Sequence, residues 1–232
     1  MKNNAKLVDF KSQAILRIDA LYYHFAIDLS DAVQKSYQSF QRKSTIISDA
    51  IVDEMLFEYD PNTEEQIPSQ ELFEIELKLA DEYGKTVQQI AIIHLLCAAS
   101  LEAHINIRSQ EFLSGQILEQ FERFSLESKW LFFPTILGKK GFVPGAQPYQ
   151  SFATLAKYRN SLAHFKGKPQ KWDSLVDFPA LQKNGLMVED ALASLKCVSN
   201  IIGDLAKQLG EKPPTWLDRQ HMNYFEIVTK QS

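Results

Sequence analysis

The sequence is poor in the features that mark several protein classes. It has only two cysteines, Cys97 and Cys197, and each lies within an apolar helical pattern. We therefore predict buried free thiols and a cytoplasmic location, with a disulfide between the two as the less favoured alternative. No uncharged run reaches 18 residues, which argues against a membrane span. The amino-terminal stretch also lacks the apolar centre of a secretion signal.

Several catalytic motifs are missing as well. The five histidines are scattered, and there is neither a His-Glu-x-x-His motif nor a cysteine pair at zinc-binding spacing. The Gly-x-Ser-x-Gly motif of serine hydrolases is absent. The segment from Gly138 to Gly141 does not have the spacing of a phosphate-binding P-loop. The sequence therefore predicts no metal, no cofactor and no nucleotide hydrolysis.

Apolar residues nowhere alternate with a period of two, whereas spacings of three and four are frequent. The pattern predicts an all-α, up-and-down helical bundle. Helix is predicted from about Val8 to Tyr59 with a break near Arg42 to Thr45, and a stop and restart is predicted at Tyr83 to Thr86. A final helix is predicted from Val188 to Leu209, ended by Gly210.

These elements suggest three parts of the chain. Residues 1–85 are predicted to be an N-terminal helical extension packed on the core. Residues 86–210 are predicted to form the core bundle, with an aromatic and Gly/Pro-rich connection that starts at Trp130 and continues to Gly145. Residues 211–232 form a C-terminal tail. The extension either covers a functional site or simply enlarges the core.

Acidic residues are absent from Ser128 to Trp172, although the whole chain carries a net charge of −4. This stretch holds eight positive charges, so the remainder must carry −12 to offset them. The eight are Lys129, Lys139, Lys140, Lys157, Arg159, Lys166, Lys168 and Lys171. A basic segment in an acidic protein is typical of local phosphate binding. Chance clustering of solvated lysines is the alternative.

A short polar motif lies within this basic segment. Arg159, Asn160 and His164 follow one another on a predicted helix whose apolar stripe includes Phe152 and Leu155. Asn160 and His164 are four positions apart and are therefore neighbours on the helix surface. We expect all three to face outward. A permanently charged guanidinium, an amide and a titratable imidazole are groups that bind a phosphate and move a proton.

The motif Arg-Asn-x-x-x-His, at the end of an apolar helix and before Gly167, resembles the Arg-x(4–6)-His motif of the HEPN superfamily. The segment from Ser100 to Asn106 also resembles the central helix of several HEPN families. The resemblance covers residues 86–210 and hardly touches the first 85. It implies a helical bundle that forms a homodimer, with two motifs facing each other.

Active HEPN proteins are metal-independent endoribonucleases, several of them toxins or defence effectors. The resemblance thus implies that His164 acts as general base or acid and that Arg159 stabilises the phosphate. Asn160 would orient the imidazole or the phosphate. The basic segment in turn suggests that RNA is contacted by Lys157, Lys166, Lys168, Lys139 and Lys140. An antitoxin or another partner protein is also implied.

The opposing hypothesis is a non-catalytic RNA-binding or dimerisation module, in which Arg159 and His164 form structural hydrogen bonds. Two further polar residues precede the motif on the predicted central helix. If Glu102 is buried it needs a partner, and Arg159 is the candidate. His104 is interpreted as a surface or hydrogen-bonded core histidine, not as a catalytic one.

Overall fold

The computed structural model describes residues 13–52, 57–59, 66–164, 179–219 and 224–228. Most of these residues are helical, which confirms the prediction of a helical bundle. The helices are α1 (Ile18–Val52), α2 (Gln70–Phe112), α3 (Gly115–Glu122), α4 (Leu126–Ile136), α5 (Tyr149–Ala163), α6 (Pro179–Lys183) and α7 (Val188–Leu209). The strands are β1 (Gln13–Leu16), β2 (Phe57–Tyr59), β3 (Gln66–Pro68) and β4 (Phe225–Val228), and a short 3-10 turn spans Thr215–Leu217.

Helices α1 and α2 form a long antiparallel hairpin. With a rise of 1.5 Å per residue they are about 52 and 65 Å long. The predicted break near Arg42 to Thr45 is wrong, because α1 is continuous there and Lys43 donates hydrogen bonds at 2.6 and 2.8 Å to Glu82 of α2. The predicted stop at Tyr83 to Thr86 is also wrong, because α2 runs through it. Lys43, which lies in the first predicted break, thus joins the two helices.

Two antiparallel ribbons were not predicted. Strand β2 pairs with β3 between the two long helices, and β1 pairs with β4 so that Leu16 lies opposite Phe225. These strands are only three or four residues long. Such short segments are too brief to display the alternation on which strand prediction depends.

The hydrophobic core lies between α2, α5 and α7, with α1 on one side and α4 on the other. Its largest fully buried side chains include Trp130, Phe133, Phe152, Leu101 and Ile202. Both cysteines are free and buried, as predicted. The alanine and valine side chains of α1 belong to the same core, so the N-terminal helix packs directly against the rest of the bundle.

The predicted irregular connection from Trp130 to Gly145 is wrong in its first part and correct in its second. Residues 130–136 belong to α4, whereas residues 137–148 are turns and loop. Helix α4 begins after Ser125, whose hydroxyl oxygen accepts a hydrogen bond from the Ser128 amide at 3.2 Å. Pro134 lies inside the last turn of this helix and is buried. Trp130 and Phe133 both point into the core, so the aromatic content that suggested a loop is core packing.

Helix α2 also crosses the predicted boundary between residues 85 and 86 without interruption. Its segment Leu77–Phe112 is long and apolar enough to cross a membrane by length and composition alone. Half of its most apolar stretch is buried inside the bundle, and the core helix of a soluble protein meets the same criterion. Helix α7 and its end at Gly210, which has a φ of 78°, match the prediction.

Candidate functional site

Helix α5 carries the Arg-Asn-x-x-x-His motif at its C-terminal end. Phe152, Leu155 and Ala156 bury one face of the helix against the core. His164 is the residue that ends the helix, and its backbone amide donates a 3.0 Å hydrogen bond to the Asn160 carbonyl. The motif is therefore held on a rigid element, whose final turn projects beyond the core.

Of the three motif residues, only His164 is exposed. Arg159 is half-buried, because it follows Phe152 by seven positions and so lies about 20° from it around the helix. Arg159, which we expected to face outward, is therefore only partly exposed to solvent. Its Nη1 donates a 3.0 Å hydrogen bond to Asn160 Oδ1. Among the residues that the structure describes, no carboxylate forms an ion pair with Arg159.

The Asn160 amide connects the motif to helix α4. Its Nδ2 lies 3.5 Å from Glu127 Oε1, so Asn160 accepts from Arg159 and donates towards Glu127. The sequence analysis missed Glu127, which immediately precedes the stretch without acidic residues. Glu127 lies close to the motif because α4 packs beside α5. The side chain of Asn160 is thus oriented towards Arg159 and Glu127, while the imidazole of His164 forms no hydrogen bond with any described residue.

The lysines of the basic segment differ in their exposure to solvent. Lys129 is only 5% exposed, and its Nζ donates a 2.9 Å hydrogen bond to Asn106 Oδ1. It therefore belongs to the interior and not to a phosphate-binding surface. Lys139, Lys140 and Lys157 are exposed. Of the remaining positions, Lys166, Lys168 and Lys171 lie outside the described residues.

Glu102 is half-buried on α2 and does not pair with Arg159 in the described part of the chain, so that predicted partnership is wrong. His104 is a hydrogen-bonded core histidine, as predicted. It is 3% exposed, and its Nδ1 lies 2.9 Å from Asp19 Oδ2. The partner of His104 comes from the N-terminal helix, which sequence spacing could not indicate.

No protein-family model, curated protein or solved structure matches this chain. The chemistry of the site therefore follows from its own residues.

The opposite side of α5 is anchored by a buried polar cluster. The Tyr158 hydroxyl donates a 3.0 Å hydrogen bond to Asp190, and the Tyr158 ring packs 5.1 Å from that of His94. His94 Nε2 lies 2.6 Å from the Gly185 carbonyl, and its Nδ1 lies 2.8 Å from the Ser194 hydroxyl. A carbonyl can only accept, so Nε2 carries a proton. Burial lowers the pKa of His94, which favours the neutral ring.

A groove of about 590 Å³ separates the start of α5 from α7. Its lining includes Ser151, Lys196, Asn200, Asp204 and Lys207. Ser151 and Asn160 are nine positions apart and therefore lie on opposite faces of α5. The groove and the motif are thus separate places on the molecule. Among the described residues, no group of three His, Cys, Asp or Glu side chains is arranged to hold a metal ion.

Proposed function

We propose that the protein is a HEPN-like endoribonuclease that cleaves RNA without a metal ion and acts as a homodimer through Arg159, Asn160 and His164. One observation carries this proposal. The Arg159 guanidinium is oriented by the neutral amide of Asn160 and forms no ion pair with a carboxylate of the described residues. A guanidinium whose charge is not neutralised is suited to a phosphate, which it can bind through two parallel hydrogen bonds.

The chemistry needs one proton acceptor and one proton donor. His164 in its neutral form takes the proton of a ribose 2′-hydroxyl, whose oxygen attacks the adjacent phosphorus. The bond from phosphorus to the 5′-oxygen breaks, and that oxygen takes up a proton from an imidazolium. Arg159 stabilises the negative charge that develops on the phosphate oxygens. The products are a 2′,3′-cyclic phosphate and a 5′-hydroxyl, so the reaction is confined to RNA.

The spacing of the motif favours a site shared by two chains. Arg159 and His164 are five positions apart, which places them about 140° apart around the helix and about 7.5 Å apart along it. One phosphate does not easily contact both side chains of the same helix. Two α5 helices in apposition would place Arg159 of one protomer near His164 of the other, as the resemblance implies.

The alternative is a non-catalytic RNA-binding or dimerisation module. It is favoured by the chain of contacts from Arg159 through Asn160 to Glu127, because these groups already have partners within one protomer. In that case the motif stabilises the end of α5. The exposed lysines would contact RNA, or the surface would bind a second copy of the chain. A toxin or defence role, with an antitoxin as partner, stays a prediction from the resemblance.

The test is incubation of the purified protein with end-labelled structured RNA in EDTA, beside variants purified in the same way. We expect cleavage by the wild type, with cyclic-phosphate ends, and a loss of at least about 100-fold for His164→Gln, which removes the general acid–base group. Arg159→Ala should lose activity similarly. Arg123→Ala, which removes an exposed arginine at the end of α3, is the matched control and should retain it.

A mixing experiment tests the shared site. Neither Arg159→Ala nor His164→Ala should cleave alone, but a mixed dimer contains one site with an intact Arg159 and an intact His164 from different chains. Random reassortment should restore about a quarter of the wild-type activity. No cleavage by the wild type on several RNAs, with a confirmed dimer, would favour the binding module instead. Cleavage that survives His164→Gln would refute the proposed role of the imidazole.

A further inference from the structure

A second cavity, of about 170 Å³, lies where the start of α1 meets the end of α7. Four basic side chains line it: Arg17, His104, Arg108 and Lys212. Glu211 is the acidic residue in its lining. These residues come from three separate parts of the chain, so the concentration of positive charge is created by the fold. The cavity is independent of the Arg159 site.

His104 presents one particular ring atom to this cavity. Asp19 is fully buried and, as a carboxylate, can only accept a hydrogen bond, so the proton on the His104 imidazole lies on Nδ1. The remaining ring nitrogen, Nε2, has no hydrogen-bond partner among the described residues, although only 3% of His104 is exposed. The ring is fixed by stacking on Trp130, with centroids 6.2 Å apart, and by an edge contact with Trp216 at 5.8 Å.

We propose that this cavity binds a small oxyanion, either free inorganic phosphate or sulfate or the terminal phosphate of a larger ligand, through Arg108, Lys212 and Nε2 of His104. A volume of 170 Å³ corresponds to about six water molecules at about 30 Å³ each. That space accommodates a tetrahedral oxyanion. It is smaller than the pockets of about 300 Å³ or more that hold drug-sized molecules, so a nucleoside would remain outside.

Glu211 occupies the position that the anion would take. Arg108 Nη2 donates to Glu211 Oε2 at 2.5 Å, and Arg108 Nη1 donates to Glu111. The Glu211 side chain is 40% exposed, so it can turn into solvent when an oxyanion takes its place. An exposed ion pair of this kind contributes little stability, and its loss is therefore a small cost to binding. Glu211 and the ligand compete for one guanidinium.

Anion binding at Nε2 requires a proton on His104. Burial lowers the pKa of His104, against the opposing effect of Asp19, so the free ring is neutral around pH 7 and Nε2 is an acceptor. The groups that face it are Asp19, Arg17, Arg108, Glu211 and Lys212. An anion beside Nε2 adds a negative charge and favours the imidazolium. Binding should therefore be coupled to the uptake of a proton.

We choose sulfate as the probe because it carries no proton near neutral pH. Any proton taken up on binding must then be bound by the protein and not by the ligand. Calorimetric titration of the full chain with sulfate should show saturable binding that weakens as the pH rises, by up to tenfold per pH unit. Titrations in two buffers with different ionisation enthalpies should show uptake of up to one proton. Inorganic phosphate should bind as well. A 5′-phosphorylated dinucleotide that binds more tightly than inorganic phosphate identifies the terminal group of a larger ligand, whereas a dinucleotide that does not bind identifies the free ion.

Three variants give the proposal a specific signature. Arg108→Gln should weaken sulfate binding by about tenfold or more, because it removes a charge-assisted hydrogen bond. Glu211→Gln should strengthen it by about twofold to fivefold, because the competing carboxylate loses its charge. His104→Gln should abolish the pH dependence. Arg219→Gln is the matched control, since Arg219 pairs only with Asp28 and Asp31 on the surface that the structure describes, and it should change nothing.

The result that overturns the proposal is equally specific. Sulfate binding that is absent, or that is weakened equally by Arg108→Gln and Arg219→Gln, would show that the cavity is not a site. Arg108 and Glu211 lie at the rim, so their variants test the site even if His104→Gln does not fold. Because Arg159→Ala and His164→Gln leave this cavity intact, sulfate binding should survive in both, whether or not the protein cleaves RNA.

Discussion

The Tyr158 hydroxyl donates a hydrogen bond to an Asp190 carboxylate oxygen 3.0 Å away and so joins α5 to the first turn of α7. Tyr158 immediately precedes Arg159, so the same turn of α5 carries the motif on one side and this anchor on the other. The orientation of the motif therefore depends on the hydrogen bond between Tyr158 and Asp190, although neither residue takes part in the proposed reaction.

Removal of this hydrogen bond should destabilise the fold. For Tyr158→Phe we expect the free energy of unfolding to fall by about 1 to 3 kcal/mol, because the acceptor is a charged, partly buried carboxylate. Urea denaturation followed by circular dichroism measures the change. Tyr22→Phe is the control, because Tyr22 is partly exposed and forms no hydrogen bond with described residues. An equal effect of the two substitutions would contradict the assigned role.

Substitution of two glycines by alanine should change the free energy of unfolding in opposite directions. Gly185 has a φ of 70°, and a Cβ there would lie 2.4 Å from Cζ of the Tyr158 ring. Gly185→Ala should therefore lower the free energy of unfolding by about 2 to 4 kcal/mol. Gly84 lies inside α2 with open space around it, so Gly84→Ala should raise the same quantity by about 0.5 to 1 kcal/mol. Thermal and urea unfolding check both, and a loss of stability in Gly84→Ala would contradict a continuous α2.

Acid should destabilise the protein in two pH ranges. Burial lowers the pKa of His104 and of His94 below 6.5. The stability that depends on their neutral rings is therefore fully present above about pH 6.5 and is lost as the pH falls below it. Burial alone would raise the pKa of Asp19, but His104 and Arg17 outweigh it and lower that pKa from 3.8 to about 2. The contribution of Asp19 is therefore lost between about pH 4 and pH 2.

Urea denaturation at a series of pH values from 8 to 3 measures these losses. His104→Gln should flatten the upper range in part, since His94 remains. If the stability of the wild type is the same at pH 5 and pH 8, the neutral buried state of both histidines is refuted.

The exposed and buried lysines of the basic stretch should differ in RNA binding. Each phosphate contact on single-stranded RNA contributes about 0.7 to the slope of log affinity against log salt concentration. Lys139→Ala combined with Lys140→Ala should therefore reduce that slope by about 1.4 if both contact phosphate. Lys129→Met should leave it unchanged, because Lys129 is buried against Asn106. Fluorescence anisotropy at several salt concentrations, with an RNA too short to be cleaved, measures the slopes.

The parts of the fold that could be predicted are those with a strong local pattern. Helix α7 has both of its ends as predicted, because its apolar residues recur regularly and Gly210 ends it in a left-handed conformation. Gly84 was interpreted as a stop for the same chemical reason. There the helix continues, because Tyr83 packs with Phe40 and Leu79 on both sides of the α1–α2 contact. Tertiary packing overrides the local preference of a single glycine.

The motif residues could be selected from the sequence, but their surroundings could not. Glu127 approaches Asn160 only because α4 returns beside α5, and Lys129 is buried only because Asn106 is there to accept its hydrogen bond. The contacts of His104 with Asp19 and of His94 with Ser194 join residues 85 and 100 positions apart. Sequence spacing carries no information about contacts of this range.

The β1–β4 ribbon has a kinetic consequence. Leu16 and Phe225 face each other across it, so the pairing closes a loop of about 200 residues, and loop closure costs more entropy the longer the loop. The ribbon can form only after the helices have brought its two strands together, and it should therefore be the last element to fold. It should also be the first to open, and amide hydrogen exchange along Gln13–Leu16 would reveal such opening before any other part of the bundle unfolds.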